Sequence, residues 1–295
     1  MILYGMKILS DIDLHLNLPT QGYTKSTITL SSDIPPPLKS KLTIGTYLHT
    51  THKHRIFFYS DSEISKPFYE HQPLCYEAEG VVRFYWYFGD NTIYYEILSS
   101  PQKLAFWFAH PFFPLFLSIE KHYVLLHCSA VMIDDKAVVF LAPYKSGKST
   151  LTNYMCHHGA KLIADDILPT YIADERVYCV ASHPYSRPYR EAETLGEYIS
   201  EYDNDPHPIS AIYILQNDSD TTKTTITPIK GIEKFTLTRK NSLIYTLKGF
   251  RLEHEKHLGK ILSTIPFFKI TRPWGMEYLD ETYQSIRKQI QEHIR

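Results

Sequence analysis

The sequence predicts a chain of the α/β class, with α+β organisation overall. A β-rich N-terminal domain, residues 1–115, precedes an α/β domain, residues 116–295. Short runs of β-branched and aromatic residues, separated by turn signals, fill the first part as far as Pro114. A strand–loop–helix–strand pattern follows between Ala137 and Asp166. An amphipathic helix pattern covers Glu277 to Arg295. The length of 295 residues is enough for about two domains.

Composition and charge narrow the classes of function. The chain is 43% hydrophobic and 21% charged, which is ordinary for a soluble globular protein. Its 31 basic and 32 acidic residues give a formal net charge of −1, so no basic excess indicates nucleic-acid binding. The cysteines are scattered without paired spacing, which favours free thiols and a reducing, cytoplasmic location.

No stretch of the sequence predicts a membrane segment. The N-terminal residues lack the charged-then-apolar layout of a signal peptide. The most apolar stretch, residues 105–119, is interrupted by prolines and is too short to span a bilayer. We therefore expect no membrane partner, and the sequence leaves open whether the chain forms a homo-oligomer.

The N-terminal domain is predicted to be built from antiparallel strands. A short turn, Gly89-Asp90-Asn91, joins two of them as a hairpin. The clearest strand candidates share β-branched and aromatic residues in partial alternation: Lys41–His49, Arg55–Tyr59, Gly80–Tyr87 and Thr92–Leu98.

The second domain is organised around residues 137–166. Ala137–Leu141 is apolar and uncharged, as expected of a strand that is buried on both faces. A short loop follows, and helical spacing begins at Lys148. A second strand, Lys161–Ala164, then delivers the pair Asp165-Asp166 to its C-terminal edge. This order of elements is typical of a phosphate-binding site in a parallel sheet.

The loop before the helix matches a phosphate-binding motif in part. In the P-loop pattern Gly-x-x-x-x-Gly-Lys-Ser/Thr, loop amides surround phosphates while the Lys and the hydroxyl reach phosphates and Mg²⁺. Gly147-Lys148-Ser149 fits this pattern, but Ala142 replaces the first glycine. Tyr144 and Lys145 stand where a left-handed backbone would be strained, so we expect a different loop shape and leave the nucleotide affinity open. The alternative is an ordinary strand–helix turn with a solvated lysine.

At this point the sequence resembles the HPr kinase-like family, specifically its HPr-kinase-related branch. The resemblance rests on His127 in LLHCSAV, on YKSGKST, and on IADD at 163–166, with spacing that matches without a gap. YGMKILSDIDLHLNLP near the start and KITRPWGMEYL near the end are also similar to that branch. Some of its members are tailoring enzymes of lasso-peptide clusters, which phosphorylate the C-terminal residue of a precursor peptide.

The resemblance implies a C-terminal P-loop kinase domain of the HPr-kinase-like fold that uses ATP and Mg²⁺. By this likeness Asp166 is the general base, His127 lies against the transferred phosphoryl group, and Asp165 assists Mg²⁺ through water. By fold-level analogy alone, the N-terminal domain recognises the substrate. The likeness also implies a further Mg²⁺ ligand, for which Glu191 is the nearest candidate by position.

The chemistry of phosphoryl transfer assigns the remaining site residues. It asks for charge neutralisation and alignment, which Lys148 would supply at the β- and γ-phosphates and Ser149 at Mg²⁺. Arginines suit bidentate phosphate contacts, which makes Arg187, Arg190 and Arg272 candidate clamps. The nucleotide-binding residues are therefore predicted to be Lys145, Ser146, Gly147, Lys148, Ser149 and Thr150; the catalytic ones Asp166, His127 and Lys148; and the metal ligands Ser149, Asp165 and Glu191.

Three functional hypotheses follow. The first is an ATP- and Mg²⁺-dependent kinase that acts on a serine-type hydroxyl of a peptide, such as a lasso-peptide precursor, or of a protein. The second is a kinase of a small-molecule hydroxyl, and the third is a nucleotide-binding regulatory module without transfer activity. The downstream signature of HPr kinases is missing, so the sequence gives no support for removal of phosphate from phosphoserine.

Residues 191–202 are predicted to be helical.

Overall fold

The computed structural model describes residues 1–143, 146–186, 193–243 and 251–294, with only the backbone described for 251–253 and 293. The chain is of mixed α/β type with two large sheets, which confirms the predicted α+β class. It divides into two compact units. The first comprises Met1–His122 together with the described residues of Glu191–Leu195 and Ile244–Glu253, and the second comprises the rest. The predicted domain boundary at residues 115 and 116 stays a prediction.

The first unit holds an eight-stranded sheet. Its strands are β1 (Ile2–Leu3), β2 (Met6–Ser10), β3 (Ser26–Ser31), β4 (Ile44–Thr51), β5 (His54–Ser60), β6 (Pro73–Ala78), β7 (Val82–Tyr87) and β8 (Thr92–Ile97), in the order β1-β2-β3-β8-β7-β6-β5-β4. Strands β4 to β8 are antiparallel, but β2 pairs β3 and β3 pairs β8 in parallel. The prediction of an antiparallel domain was therefore wrong for the pairs β2–β3 and β3–β8. Strand pairing depends on the tertiary fold, which local sequence does not reveal.

The helical segments of this unit, apart from the first, bury aromatic residues. They are α1 (Pro36–Ser40), α2 (Pro101–Trp107), a π-helical turn (Phe108–Phe112) and α3 (Phe113–Ile119). Pro111 lies inside the π-helical turn, where its missing N–H interrupts the α-helical hydrogen bonds. Phe112 stacks on Phe84 of β7 with ring centroids 4.2 Å apart, so the turn packs directly on the sheet.

The second unit holds a seven-stranded sheet and contains every described residue of the predicted site. Its elements are β9 (Val124–Ile133), β10 (Lys136–Leu141), α4 (Lys148–His157), β11 (Lys161–Ala173), β12 (Arg176–Cys179), β13 (Tyr185–Ser186), β14 (Glu197–Tyr198), β15 (His207–Asn217), β16 (Thr225–Pro228), α5 (Ile232–Lys240), α6 (Arg251–Thr264), β17 (Phe267–Arg272), a 3₁₀ turn (Met276–Tyr278) and α7 (Leu279–His293). The strand order is β10-β9-β11-β12-β15-β17-β16, and β10 also pairs β15.

Helices cover both faces of this sheet. On one face the core residues of β9 and β10 pack with apolar residues of α4 and α7, including Leu151 and Ile286. On the other face they pack with α6 through Leu258 and Ile261. Alternate residues of β9 belong to the two cores, as the two-residue repeat of a strand requires. The unit is therefore a three-layer α/β/α arrangement.

The carboxyl ends of three parallel strands meet beside the loop that precedes α4. Strand β10 pairs β15 in parallel, and β15 pairs β17 in parallel. These strands end at Leu141, Asn217 and Arg272. In open α/β sheets, ligands bind at the carboxyl edge of the strands.

Two predictions about this region were wrong. The Asp165-Asp166 pair does not follow a strand, because β11 continues to Ala173 and both aspartates pair with residues of β9. Antiparallel β9 lies between β10 and β11 in the sheet. The predicted helix over 191–202 is also absent from its described part, where β14 pairs β13 instead.

The described residues include all four cysteines and the helices that could be compared with a membrane span. All four cysteines are free and buried. None of the helices that the structure describes has the length and apolar character needed to cross a bilayer.

Candidate functional site

The loop before α4 is held in place by its carbonyl groups. The Ser146 carbonyl accepts hydrogen bonds from Asn217 Nδ2 at 3.0 Å and from Arg272 Nη2 at 3.4 Å. The Ser146 hydroxyl donates to the carbonyl of Pro143 at 2.7 Å. The peptide bond between Ser146 and Gly147 is trans. The N–H of Gly147 therefore points in the direction opposite to the Ser146 carbonyl.

Gly147 is required by its backbone and by its neighbours. Its φ of 79° and ψ of 21° lie in the left-handed region. A Cβ atom there would stand 2.9 Å from Arg272 Nη2 and 3.5 Å from the ring of Trp274. Glycine is therefore required at position 147 by the contact with Arg272 of β17 as well as by the backbone of the loop.

The first turn of α4 concentrates positive charge. Gly147 is the N-cap residue and supplies no side-chain acceptor, so the first amides of the helix are available to a ligand. The helix dipole adds partial positive charge at this end. Lys148 opens the helix and is only 9% exposed, whereas Ser149 and Thr150 are half-buried on the same turn.

Asp165 joins three segments of the unit through hydroxyl groups. It is 3% exposed. Its Oδ1 accepts hydrogen bonds from Ser129 Oγ of β9 at 2.6 Å and from Ser149 Oγ of α4 at 3.0 Å. Its Oδ2 accepts one from Ser186 Oγ of β13 at 2.9 Å. The carboxylate is thereby fixed against the start of α4.

Asp166 turns in another direction and contacts His127. His127 Nδ1 lies 3.3 Å from Asp166 Oδ1. The φ of Asp166 is 90°, which a non-glycine residue adopts at a cost of about 1–3 kcal/mol. Strained backbone of this kind is concentrated at functional sites. The His127 backbone N–H is fixed by the carbonyl of Asn241 at 2.6 Å.

The charged groups of the loop and of β11 act on one buried side chain. Burial raises the pKa of the Cys128 thiol, Lys148 lowers it, and Asp165 and Asp166 raise it. Cys128 lies on β9 directly opposite Asp166. The lysine and the two carboxylates are therefore gathered around the same part of the sheet.

The structure brings most of the described site residues together. His127, Ser146, Gly147, Lys148, Ser149, Asp165 and Asp166 belong to the connected group just described. Lys145 and Glu191 lie outside the described residues, as do Arg187 and Arg190. The assigned roles of all these residues stay predictions.

Three residues of this group were missed from the sequence. Ser129 lies two positions after His127 on a strand, so the two-residue repeat could have placed both on one face. Asn217 ends an apolar strand, which is a weak signal for the ligand-binding edge of a sheet. Ser186 gave no signal in the sequence.

The oxygen atoms of the site suit Mg²⁺. The Ser149 hydroxyl and the Asp165 carboxylate are 3.0 Å apart, and Mg²⁺ prefers oxygen ligands. No cluster of three or more His, Cys, Asp or Glu side chains able to hold a metal is found among the described residues. Mg²⁺ in nucleotide sites is bound through one or two carboxylates plus substrate phosphates, so such a cluster is not required.

Comparison with known proteins gives little support beyond the geometry. No family model matches the sequence, and no curated protein matches it. The HPr(Ser) kinase/phosphatase from Coxiella burnetii is a structural neighbour with a TM-score of 0.36 and 13% sequence identity, over 57% of this chain and 97% of that one. A likeness this weak carries no argument, and the resemblance to the lasso-peptide branch stays a prediction.

Proposed function

We propose that the second unit is an ATP- and Mg²⁺-dependent kinase that transfers the γ-phosphate to a serine-type hydroxyl. The proposal rests on one observation: Ser149, on the first turn of α4, is hydrogen-bonded to Asp165, beside an aspartate that contacts a histidine. A helix N-terminus with a buried lysine suits a triphosphate. A carboxylate one residue further along the strand suits an acceptor hydroxyl.

The chain's own residues divide the work between binding and proton transfer. Lys148 and the first amides of α4 bind the β- and γ-phosphates. The acceptor oxygen forms a bond to the γ-phosphorus as the bond to the β–γ bridging oxygen breaks, and ADP leaves. Asp166 accepts the hydroxyl proton, and His127 holds the Asp166 carboxylate and faces the transferred group. Asp165 orients Ser149.

The group that neutralises the phosphates would be Mg²⁺. Ser149 and Asp165 would hold it, Asp165 through a water molecule, and when bound it would neutralise charge on the β- and γ-phosphates. Glu191 is retained as a candidate third ligand on the sequence argument alone.

A peptide is the acceptor that we favour. The resemblance in sequence points to a precursor peptide of the lasso type, and the first unit would recognise it. One feature of that unit supports the idea, since β4 is an edge strand of its sheet. Edge strands have unpaired backbone groups that an extended peptide can pair. Four free thiols suit the cytoplasmic location that we propose.

A non-catalytic nucleotide-binding module is the second candidate. The observation that favours it is the replacement of the first glycine of the motif by Ala142, which is 4% exposed and packed in the core. A side chain at this position reduces the freedom of the loop to surround a phosphate. The kinase of a small-molecule hydroxyl remains a variant of the first proposal, with a different acceptor.

Two variants separate the kinase from the module. Asp166→Asn is expected to keep ATP binding and lose phosphate transfer, because it removes only the proton acceptor. Lys148→Ala is expected to weaken both. Transfer is measured by mass spectrometry of a candidate peptide co-expressed with the chain, where one added phosphate is expected. If wild type and Asp166→Asn bind ATP equally and neither labels any peptide or hydroxyl acceptor, the module is the correct function.

A further inference from the structure

A buried arginine contacts the loop that precedes α4. Arg272 ends β17 and is 3% exposed. Its Nε donates to Asn217 Oδ1 at 3.1 Å, and its Nη2 donates to the carbonyl of Ser146 at 3.4 Å. The same Nη2 lies 2.9 Å from the point where a Cβ of Gly147 would stand. The guanidinium group is thus directed at the N-cap of α4.

The charge of this guanidinium is not compensated within the part of the chain that the structure describes. Both of its acceptors are neutral oxygens, and no described carboxylate forms an ion pair with it. Its Nη1 is buried and has no hydrogen-bond partner among the described residues. Buried charges are ordinarily paired, because an isolated one is costly to remove from water. Burial accordingly lowers the pKa of Arg272.

A structural role explains the two hydrogen bonds of Arg272 but not its third buried nitrogen or its charge. Nε and Nη2 fix Asn217 and the Ser146 carbonyl, which a neutral amide could do equally well. An arginine offers five donors in a planar fork that matches the oxygens of phosphate. The unused Nη1 and the uncompensated charge are what a polyanion would satisfy.

We propose that Arg272 binds a phosphate group of the nucleotide, as a second cation, in addition to Lys148, at the loop before α4. This inference deepens the proposed function and rests on it for the identity of the ligand. Because Nη1 has no exposed surface, binding includes a shift of the groups that cover it. Trp274 is 59% exposed, and its ring lies 3.5 Å from the position that a Cβ of Gly147 would take, so its fluorescence is expected to report that shift.

The test compares Arg272→Gln with Arg272→Lys and with Arg287→Gln. Arg287 is a surface arginine of the same unit paired with Asp134, so its replacement controls for the loss of one positive charge. The ligands are inorganic pyrophosphate, ATP and adenosine, and dissociation constants are measured by calorimetry. Arg272→Gln is expected to weaken pyrophosphate and ATP binding by about tenfold to 100-fold, the range for a hydrogen bond to a charged group. Adenosine binding is expected not to change, and Arg272→Lys is expected to restore part of the loss.

Thermal unfolding without ligand separates binding from a structural role. A phosphate-binding role predicts that Arg272→Gln unfolds at the same temperature as wild type or higher, because an unpaired buried charge has been removed. A lower unfolding temperature together with unchanged pyrophosphate affinity overturns the inference. In wild type, pyrophosphate is also expected to alter acrylamide quenching of Trp274, since Trp86 and Trp107 are fully buried.

The outcomes also distinguish this inference from the kinase proposal. If pyrophosphate binds wild type but not Arg272→Gln, and no acceptor is ever phosphorylated, the arginine assignment stands and the kinase proposal fails. If wild type transfers phosphate and Arg272→Gln has the same affinities, the arginine assignment fails alone. A wild-type protein that binds neither pyrophosphate nor ATP overturns both.

Discussion

Gly147→Ala tests the contact between the loop and β17. The new methyl group adds two penalties. A left-handed backbone costs an L-residue about 1–2 kcal/mol, and a Cβ 2.9 Å from Arg272 Nη2 forces a shift of a packed side chain, at about 1–3 kcal/mol. We therefore expect the free energy of unfolding to fall by about 2–5 kcal/mol.

Gly159→Ala is the matched control. Gly159 has a φ of 98°, and nothing lies within 4 Å of the position of its Cβ. It therefore carries the backbone penalty alone, about 1–2 kcal/mol. The change in entropy of the unfolded chain is common to both substitutions and cancels in their difference.

Urea unfolding followed by far-UV circular dichroism measures both variants. The steric penalty is also expected to disappear in a double variant with Arg272→Gln, which removes the atom that the methyl group meets. The reasoning is refuted if Gly147→Ala costs no more than Gly159→Ala, or if Arg272→Gln leaves the difference between them unchanged.

Three further predictions concern a hydroxyl, a carboxyl and the thiols. Ser129→Ala is expected to cost about 1–3 kcal/mol of stability, because the Ser129 hydroxyl donates to buried Asp165. Ser182→Ala removes a buried hydroxyl that has no partner among the described residues, so it is expected to cost nothing. Equal losses of stability for the two variants in urea unfolding would contradict this. Burial raises the pKa of Glu120 to about 7, so ionisation opposes folding. The unfolding free energy should fall as pH rises from the ordinary glutamate pKa through about 7, by about 1.4 kcal/mol per unit at most, and Glu120→Gln should abolish this part of the pH dependence. All four thiols are buried, and burial raises the pKa of Cys156 and Cys179 to about 12. Alkylation by iodoacetamide should therefore require unfolding, and rapid labelling of any thiol without urea would be evidence against the buried core.

The local sequence pattern was sufficient to predict the central strand and the start of the helix that follows it. Ala137–Leu141 lies within β10, and α4 begins at Lys148 as predicted. Their periodicity and glycine position act over a few residues, so they can be read without knowledge of the fold. The same was not true of residues 191–202, where a helical prediction failed in the described part because the segment pairs with β13.

The sequence by itself determined the chemistry available at the helix start: a lysine and a serine after a glycine, and two aspartates nearby. The tertiary structure decided which groups meet them. It inserted β9 between β10 and β11, which set Ser129 opposite Asp165. It also placed β15 beside β10 and β17 beside β15, which brought Asn217 and Arg272 to the loop. Strand pairing of this kind joins residues that are distant in the sequence, such as Ala137 and Ile209, through backbone hydrogen bonds that every strand can offer, so only the packing of the whole sheet selects the partners.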